Sequence, residues 1–204
     1  MRSSAELMLP QMVPLTIAQY EQMRIGGIIP ETPTVELLDG FLVRKDRSKR
    51  GDGIMTIGND HIYATECLSF LNKRLDGLNA HVRSQQPIQI PDINEPEPDA
   101  AFVRGEFGTY RRRKPQPADV LCVIEVADSS LAFDRTTKLA IYASGGIPQY
   151  VIVNLVDRVI EVYANPNRET ATYDALIVRK PGETVAFDLG DGRALDVACD
   201  DLLP

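Results

Sequence analysis

No apolar run in the 204 residues approaches the ~20 that a helix needs to cross a bilayer. The opening stretch MRSSAELMLPQMVP also lacks the continuous apolar region of a secretory signal. The expectation is a soluble, cytoplasmic protein with no membrane partner. Cysteine is scarce as well: Cys67, Cys122 and Cys199 are scattered without metal-ligand spacing, and two of them fall in apolar surroundings typical of buried, reduced thiols. Neither a disulfide framework nor a cysteine zinc site is supported. Basic charge is the third shortage. There are 22 lysines and arginines against 29 acidic residues, a net charge of -7, which argues against a protein that coats nucleic acid by bulk electrostatics. No internal repeat or low-complexity segment is visible.

What remains is ordinary globular material, 44% hydrophobic and 25% charged, enough for one domain over residues 1–204 with 1–14 as a flexible extension. Positive charge is concentrated locally, in RKDRSKR from Arg44 to Arg50 and in YRRRK from Tyr110 to Lys114. Each stretch alone reads as a solvated loop, while the two together leave room for a phosphate backbone.

Thr16 caps a short helix that Gly26-Gly27 ends, and Asp39-Gly40 joins two apolar runs as a tight hairpin. Apolar spacing predicts a helix over Asp60 to Leu75, capped by Asn59 or Asp60. DAAFV and VLCVIEVAD read as strands, and a helix over Phe133 to Ser144 leads to the strand YVIVN, the pattern of a parallel crossover. Antiparallel strands follow, with turns at Asn-Pro, Pro-Gly and Asp-Gly. The fold class expected is α/β (α+β), a mixed sheet flanked by helices with additional antiparallel strands at both ends.

One residue breaks the pattern. From Val120 to Val126 every residue but Glu125 is apolar, as in a strand covered on both faces. A buried carboxylate must be paired, protonated, lining a cleft or holding a metal. A second acid, Asp99, opens the strand before it; Pro98-Asp99 alone reads as a plain turn, but two carboxylates on neighbouring strands suit a hard cation such as Mg²⁺. Lys138, on the crossover helix, reads by itself as a surface partner of Asp134 at i, i+4.

The ordered series EPEPDAAFV, LCVIEVADSS and DRTTKLAIYASGGIPQYVIVN, with the earlier VELLDGFLV and His61, resembles the Uma-type restriction endonuclease family, a branch of the PD-(D/E)XK nuclease superfamily, over roughly Leu15 to Asp157. The superfamily's usual lysine stands two residues beyond the second acid, where this chain has Ala127. The Uma pattern takes a lysine from the next helix, which Lys138 matches. The resemblance implies a restriction-endonuclease-like core and a metal-dependent nuclease acting on DNA as a homodimer. Asp99, Glu125 and the carbonyl of Val126 would hold Mg²⁺ or Mn²⁺, and Lys138 would orient the attacking water.

Additional candidates are Glu36, a further acid or a solvent-facing strand residue; His61, a base or phosphate contact, or more simply a helix-end histidine with a structural hydrogen bond; Gln86 as polar lining; and Asp128, where the family often has serine, as a ligand or a helix cap. The alternative is a nuclease fold that no longer cuts and serves nucleic-acid binding or assembly; a weaker third is hydrolysis of another phosphodiester. The intact Asp99, Glu125 and Lys138 series favours the enzyme.

Overall fold

A computed structural model describes residues 12–30, 34–45 and 58–204 of the chain. Helix α1, Ile17–Ile25, begins at Thr16, whose hydroxyl accepts from the Gln19 N–H while the Gln19 side chain accepts from the Thr16 N–H. This reciprocal cap satisfies two donors that the first turn would leave free. Strands β1 (Val35–Leu38) and β2 (Phe41–Arg44) form the hairpin. Its turn residues Asp39 and Gly40 take φ of 49° and 76°, the positive values that a two-residue turn between twisted strands requires. Most of the basic stretch after Arg44 lies outside the described residues.

Helix α2 spans Asn59–Phe70 and tightens into a 3₁₀ turn over Leu71–Arg74, so it is α-helical for less than the expected length. Its cap position is Gly58, and no side chain caps it. The tightening has a partner in strand β3 (Ala80–Ser84): the Asn72 amide accepts from the Val82 N–H and donates to the Val82 carbonyl, binding the turn to that edge strand.

Strands β4 (Ala100–Arg104) and β5 (Val120–Ala127) follow, and β5 is buried along its whole length. The crossover differs from the uninterrupted helix expected. It runs as a short α3 (Leu131–Phe133), a wide π turn over Asp134–Lys138, then α4 (Leu139–Gly145). The wide turn carries Asp134 and Lys138 into the interior, at 4% and 3% exposure, and the Tyr150 hydroxyl donates to the Asp134 carbonyl at 3.1 Å.

Strand β6 (Gln149–Asn154) lies parallel to β5. Strands β7 (Val159–Asn167) and β8 (Thr172–Arg179) extend the sheet in antiparallel fashion. The six-stranded order is β3-β4-β5-β6-β7-β8, and β9 (Thr184–Gly190) and β10 (Arg193–Ala198) make a separate hairpin. Asn165-Pro166 is not the expected turn: Asn165 takes a φ of 58° inside β7, and the chain reverses later, where Asn167 Oδ1 accepts from the Glu169 and Thr170 N–H groups.

Apolar layers cover both faces of the sheet. On one, α2 and the β9–β10 hairpin pack on Phe102, Leu121 and Ile124. On the other, Ile141 and Tyr142 of α4 pack on Ala101, Val123 and Ile152. The three cysteines are unpaired thiols, with Cys122 and Cys199 buried. Among the described residues no helix is long and apolar enough to cross a membrane.

Candidate active site

The site forms where β4 and β5 part company. Their pairing reaches Ala100 opposite Ile124. Beyond it the Asp99 carboxylate takes the place of a strand, its Oδ2 accepting from the Val126 N–H at 3.0 Å, while the Asp99 N–H lies 3.4 Å from Glu125 Oε2. Both acids are 3% exposed, so the sheet delivers two interlocked carboxylates out of bulk water.

The compensating charges come from the hairpin and the crossover. Lys138 Nζ stands 2.6 Å from Glu36 Oε1 and 3.2 Å from Glu125 Oε1. Glu36 Oε1 also accepts from the Glu97 N–H at 2.6 Å, and the Tyr142 hydroxyl donates to Glu125 Oε1 at 2.7 Å. On the other side, Lys45 Nζ sits 3.3 Å from Asp99 Oδ1 and donates to the Glu97 carbonyl, and His61 Nε2 lies 3.6 Å from Asp99 Oδ2. The surface pair of Lys138 with Asp134 is absent: Asp134 accepts instead from the Ser130 hydroxyl at 2.6 Å.

These surroundings drive the acids apart. Burial pushes Asp99 upward, but Lys45, His61 and the Val126 N–H outweigh it and hold the carboxyl well below the usual range. Burial raises Glu125, and Asp99 and Glu36 push the same way against Lys138 and Lys45. Burial and Glu125 push Asp134 up to about 7. For Lys138, burial favours the neutral amine, yet Glu125 and Glu36 prevail and the shift is upward, so the ammonium keeps its proton. One firmly ionised carboxylate beside one whose proton affinity is raised is the division of labour that acid and base chemistry uses.

The sequence candidates thus separate. Asp99, Glu125, Lys138, Glu36 and His61 come together. Val126 joins through its N–H. Gln86 is exposed after β3, and it is the Gln85 main chain that meets the cluster, donating to the Asp99 carbonyl. Asp128 does not cap the crossover helix, and its Oδ2 faces Gly58 at the start of α2, 3.9 Å from where a Cβ would stand. Two members were missed. Lys45 belongs to the basic run that reads as a solvated loop, yet its side chain is 15% exposed. The other is Tyr142, which is not among the sequence candidates, although its spacing of i+4 from Lys138 puts both on one helical face and is a usable signal.

Among the described residues no set of three or more His, Cys, Asp or Glu side chains is disposed to hold a metal. The donor set is smaller. Glu125 Oε1 is gripped by Tyr142 and Lys138, whereas Oε2 meets only the 3.4 Å N–H of Asp99. Asp99 Oδ2 is fixed by Val126, whereas Oδ1 meets Lys45 at 3.3 Å. One loosely engaged oxygen on each of two carboxylates fits Mg²⁺, which binds through one or two carboxylates and retains several waters.

The sequence profile of the Uma2 family, described as "Putative restriction endonuclease", matches residues 17–198. No curated protein matches the chain. Among solved structures it is similar to a protein of Anabaena variabilis ATCC 29413, described as "a putative nuclease belonging to DUF820". The two share 16% identity, the match covers 93% of this chain and 97% of that one, and the TM-score is 0.64. At that identity the likeness is one of fold.

Proposed function

The chain belongs to the Uma2 family, and we propose that it is a metal-dependent endonuclease that hydrolyses phosphodiester bonds in DNA at Asp99, Glu125 and Lys138. The observation that carries this reading is the Lys138 ammonium, 3% exposed and held between Glu36 and Glu125. Stability alone is a poor reason for such an arrangement, because buried ion pairs are often replaced by apolar side chains without loss. A cluster of buried groups with displaced proton affinities is what a catalytic site requires.

Asp99 and Glu125, with the Val126 carbonyl, would hold Mg²⁺ or Mn²⁺, which when bound supplies a water of lowered pKa and neutralises charge on the phosphate. Lys138 brings a fixed positive charge to the phosphate oxygens as negative charge builds on them and orients the attacking water. Tyr142 and Lys138 grip Glu125 Oε1 and so set the direction of Oε2. Lys45 and His61, partly exposed beside Asp99, face the side from which a phosphate would arrive. A two-fold homodimer in the cytoplasm would bring one site to each strand of a duplex.

Supercoiled plasmid incubated with Mg²⁺ or Mn²⁺ tests this reading. The parent is expected to nick or linearise it, EDTA to stop the reaction, and Glu125→Ala to abolish it. Lys138→Met, combined with Glu36→Gln so that Glu36 is not left as an unpaired charge beside Glu125, is expected to slow cleavage by about 100-fold or more, the scale of one lost electrostatic group. An inert parent, or variants that cut at the parental rate, would overturn the proposal.

A further inference from the structure

Beside the site, the β3 edge of the sheet carries a row of side chains that the acid and lysine chemistry leaves unused. Arg83 lies on edge strand β3 opposite Ala101. That is two residues along the chain from Asp99, or ~7 Å at the rise of an extended strand. Its Nε is buried and meets no hydrogen-bond partner, and among the described residues no carboxylate pairs with its guanidinium. Buried donors are almost always satisfied, so an orphan at this place calls for a reason.

The row continues away from the site. Two guanidinium groups lie near the Tyr110 ring, with Arg83 Cζ 5.7 Å and Arg113 Cζ 5.0 Å from its centroid, and its hydroxyl donates to the Arg104 carbonyl at 2.7 Å. Arg113 is already neutralised by Asp119, at 2.5 and 2.8 Å, so the charge left over is that of Arg83. His81 follows, its ring 5.9 Å from Tyr110 and 6.5 Å, edge-on, from Phe107. Its Nδ1 is 2.7 Å from the Gly105 carbonyl, which fixes the ring. Phe107 ends the row at 97% exposure, an apolar ring held out in water by the loop after β4.

We propose that this row, from Arg83 through Tyr110 and His81 to Phe107, is a track for a single nucleic-acid strand, with a phosphate on Arg83 and an unpaired base stacked on Phe107. The proposal rests on the nuclease reading for where the strand goes next, toward Asp99 and Glu125; the binding itself needs no metal. Arginine's planar fork suits a phosphate, and the Arg83 side chain is only half-buried, with no carboxylate among the described residues competing for its guanidinium. A duplex hides its base faces, so of the two forms of nucleic acid it is the unpaired strand that can lay a base on an exposed ring. The track therefore specifies substrates with a single-stranded arm beside the scissile bond.

Fluorescence anisotropy with a labelled single-stranded oligonucleotide, and with the same sequence as a blunt duplex, tests this in EDTA so that nothing is cut. The parent is expected to bind the single strand more tightly than the duplex. Phe107→Ala is expected to weaken the single strand by about tenfold or more, the scale of one lost base stack, and to leave the duplex unaffected. Arg83→Gln is expected to flatten the plot of log K against log salt by about 0.7, one phosphate of a single strand, and Arg83→Lys to restore the slope. A parent that does not prefer the single strand, or a Phe107→Ala variant that binds both forms as the parent does, overturns the track. Plasmid cleavage by the parent is scored separately. A protein that binds through the row but cuts nothing would sink the hydrolase reading and spare the track, and the reverse pair of results would do the opposite.

Discussion

Asp99 and Asp134 are both buried aspartates near Glu125, yet their surroundings send them in opposite directions. Asp99 is held ionised by Lys45, His61 and a backbone N–H, whereas burial and the Glu125 charge push Asp134 up to about 7, with only Ser130 and Lys138 resisting. The sign for stability follows. In the unfolded chain Asp134 ionises near its ordinary 3.8, while in the folded chain it keeps its proton until about 7. Its contribution is therefore fully present below the lower value and is lost as pH rises through the upper one. Asp134→Asn is expected to abolish that loss. Measured by urea unfolding in EDTA, the variant should gain on the parent by up to ~4 kcal/mol between acid and neutral pH, because each pH unit separating the two values is worth about 1.4 kcal/mol. A stability difference that stays flat across the window would show that Asp134 ionises normally. The same contrast explains what could be read at this scale. Glu125 stood out because it is charged within an apolar run, but Asp134 looked like a surface residue, since a wide turn that carries it inward leaves no mark in the spacing.

At the scale of elements, the hairpin of β1 and β2 matters because Glu36 lies within it and Lys45 directly after it, so one turn positions a partner for Lys138 and a partner for Asp99. Gly40 is where that arrangement is most vulnerable. It has a φ of 76°, and a Cβ there would overlap Pro14 Cβ and stand 2.8 Å from Pro14 Cα, against backbone that is itself tied down by the Leu15 N–H to the Gly40 carbonyl. Gly40→Ala is expected to cost about 2 kcal/mol or more, through the positive φ and the overlap together, and to lower cleavage with it. Asp39→Gly at the same turn, where φ is 49°, is expected to be near neutral. Equal urea midpoints for the two variants would refute this account.

The hairpin, the buried strand β5 and the parallel crossover were legible because turn chemistry and apolar runs are local signals. The break in the crossover helix was not, since it depends on a tertiary partner, Tyr150, for the Asp134 carbonyl. Nor was the β7 passage through Asn165-Pro166, where pairing with β8 carries the strand past a dipeptide that usually turns.

For the whole molecule, the outer edges of the sheet are β3 and β8. On β8 the exposed residues include Leu176, Ile177 and Val178, at 54%, 46% and 45%. An uncovered apolar edge strand invites pairing with another chain. The sequence of this edge favours a second copy of itself: an antiparallel pairing centred on Ile177 sets Leu176 opposite Val178 of the second copy and Asp174 opposite Lys180, each relation occurring twice by symmetry. Such a dimer would extend the sheet across the axis and leave both Glu125 clusters, which lie in the interior strands, free for substrate. Light scattering at tens of micromolar is expected to give twice the mass of the chain. Ile177→Lys places two like charges directly opposite each other at the axis and is expected to return the protein to monomer, with the unfolding midpoint of the monomer little changed because the residue is half exposed. If both strands of a duplex are cut by two copies acting together, that variant should nick plasmid and fail to linearise it. A parent that is monomeric at every concentration tried, or an Ile177→Lys variant that remains a dimer, would remove β8 as the interface.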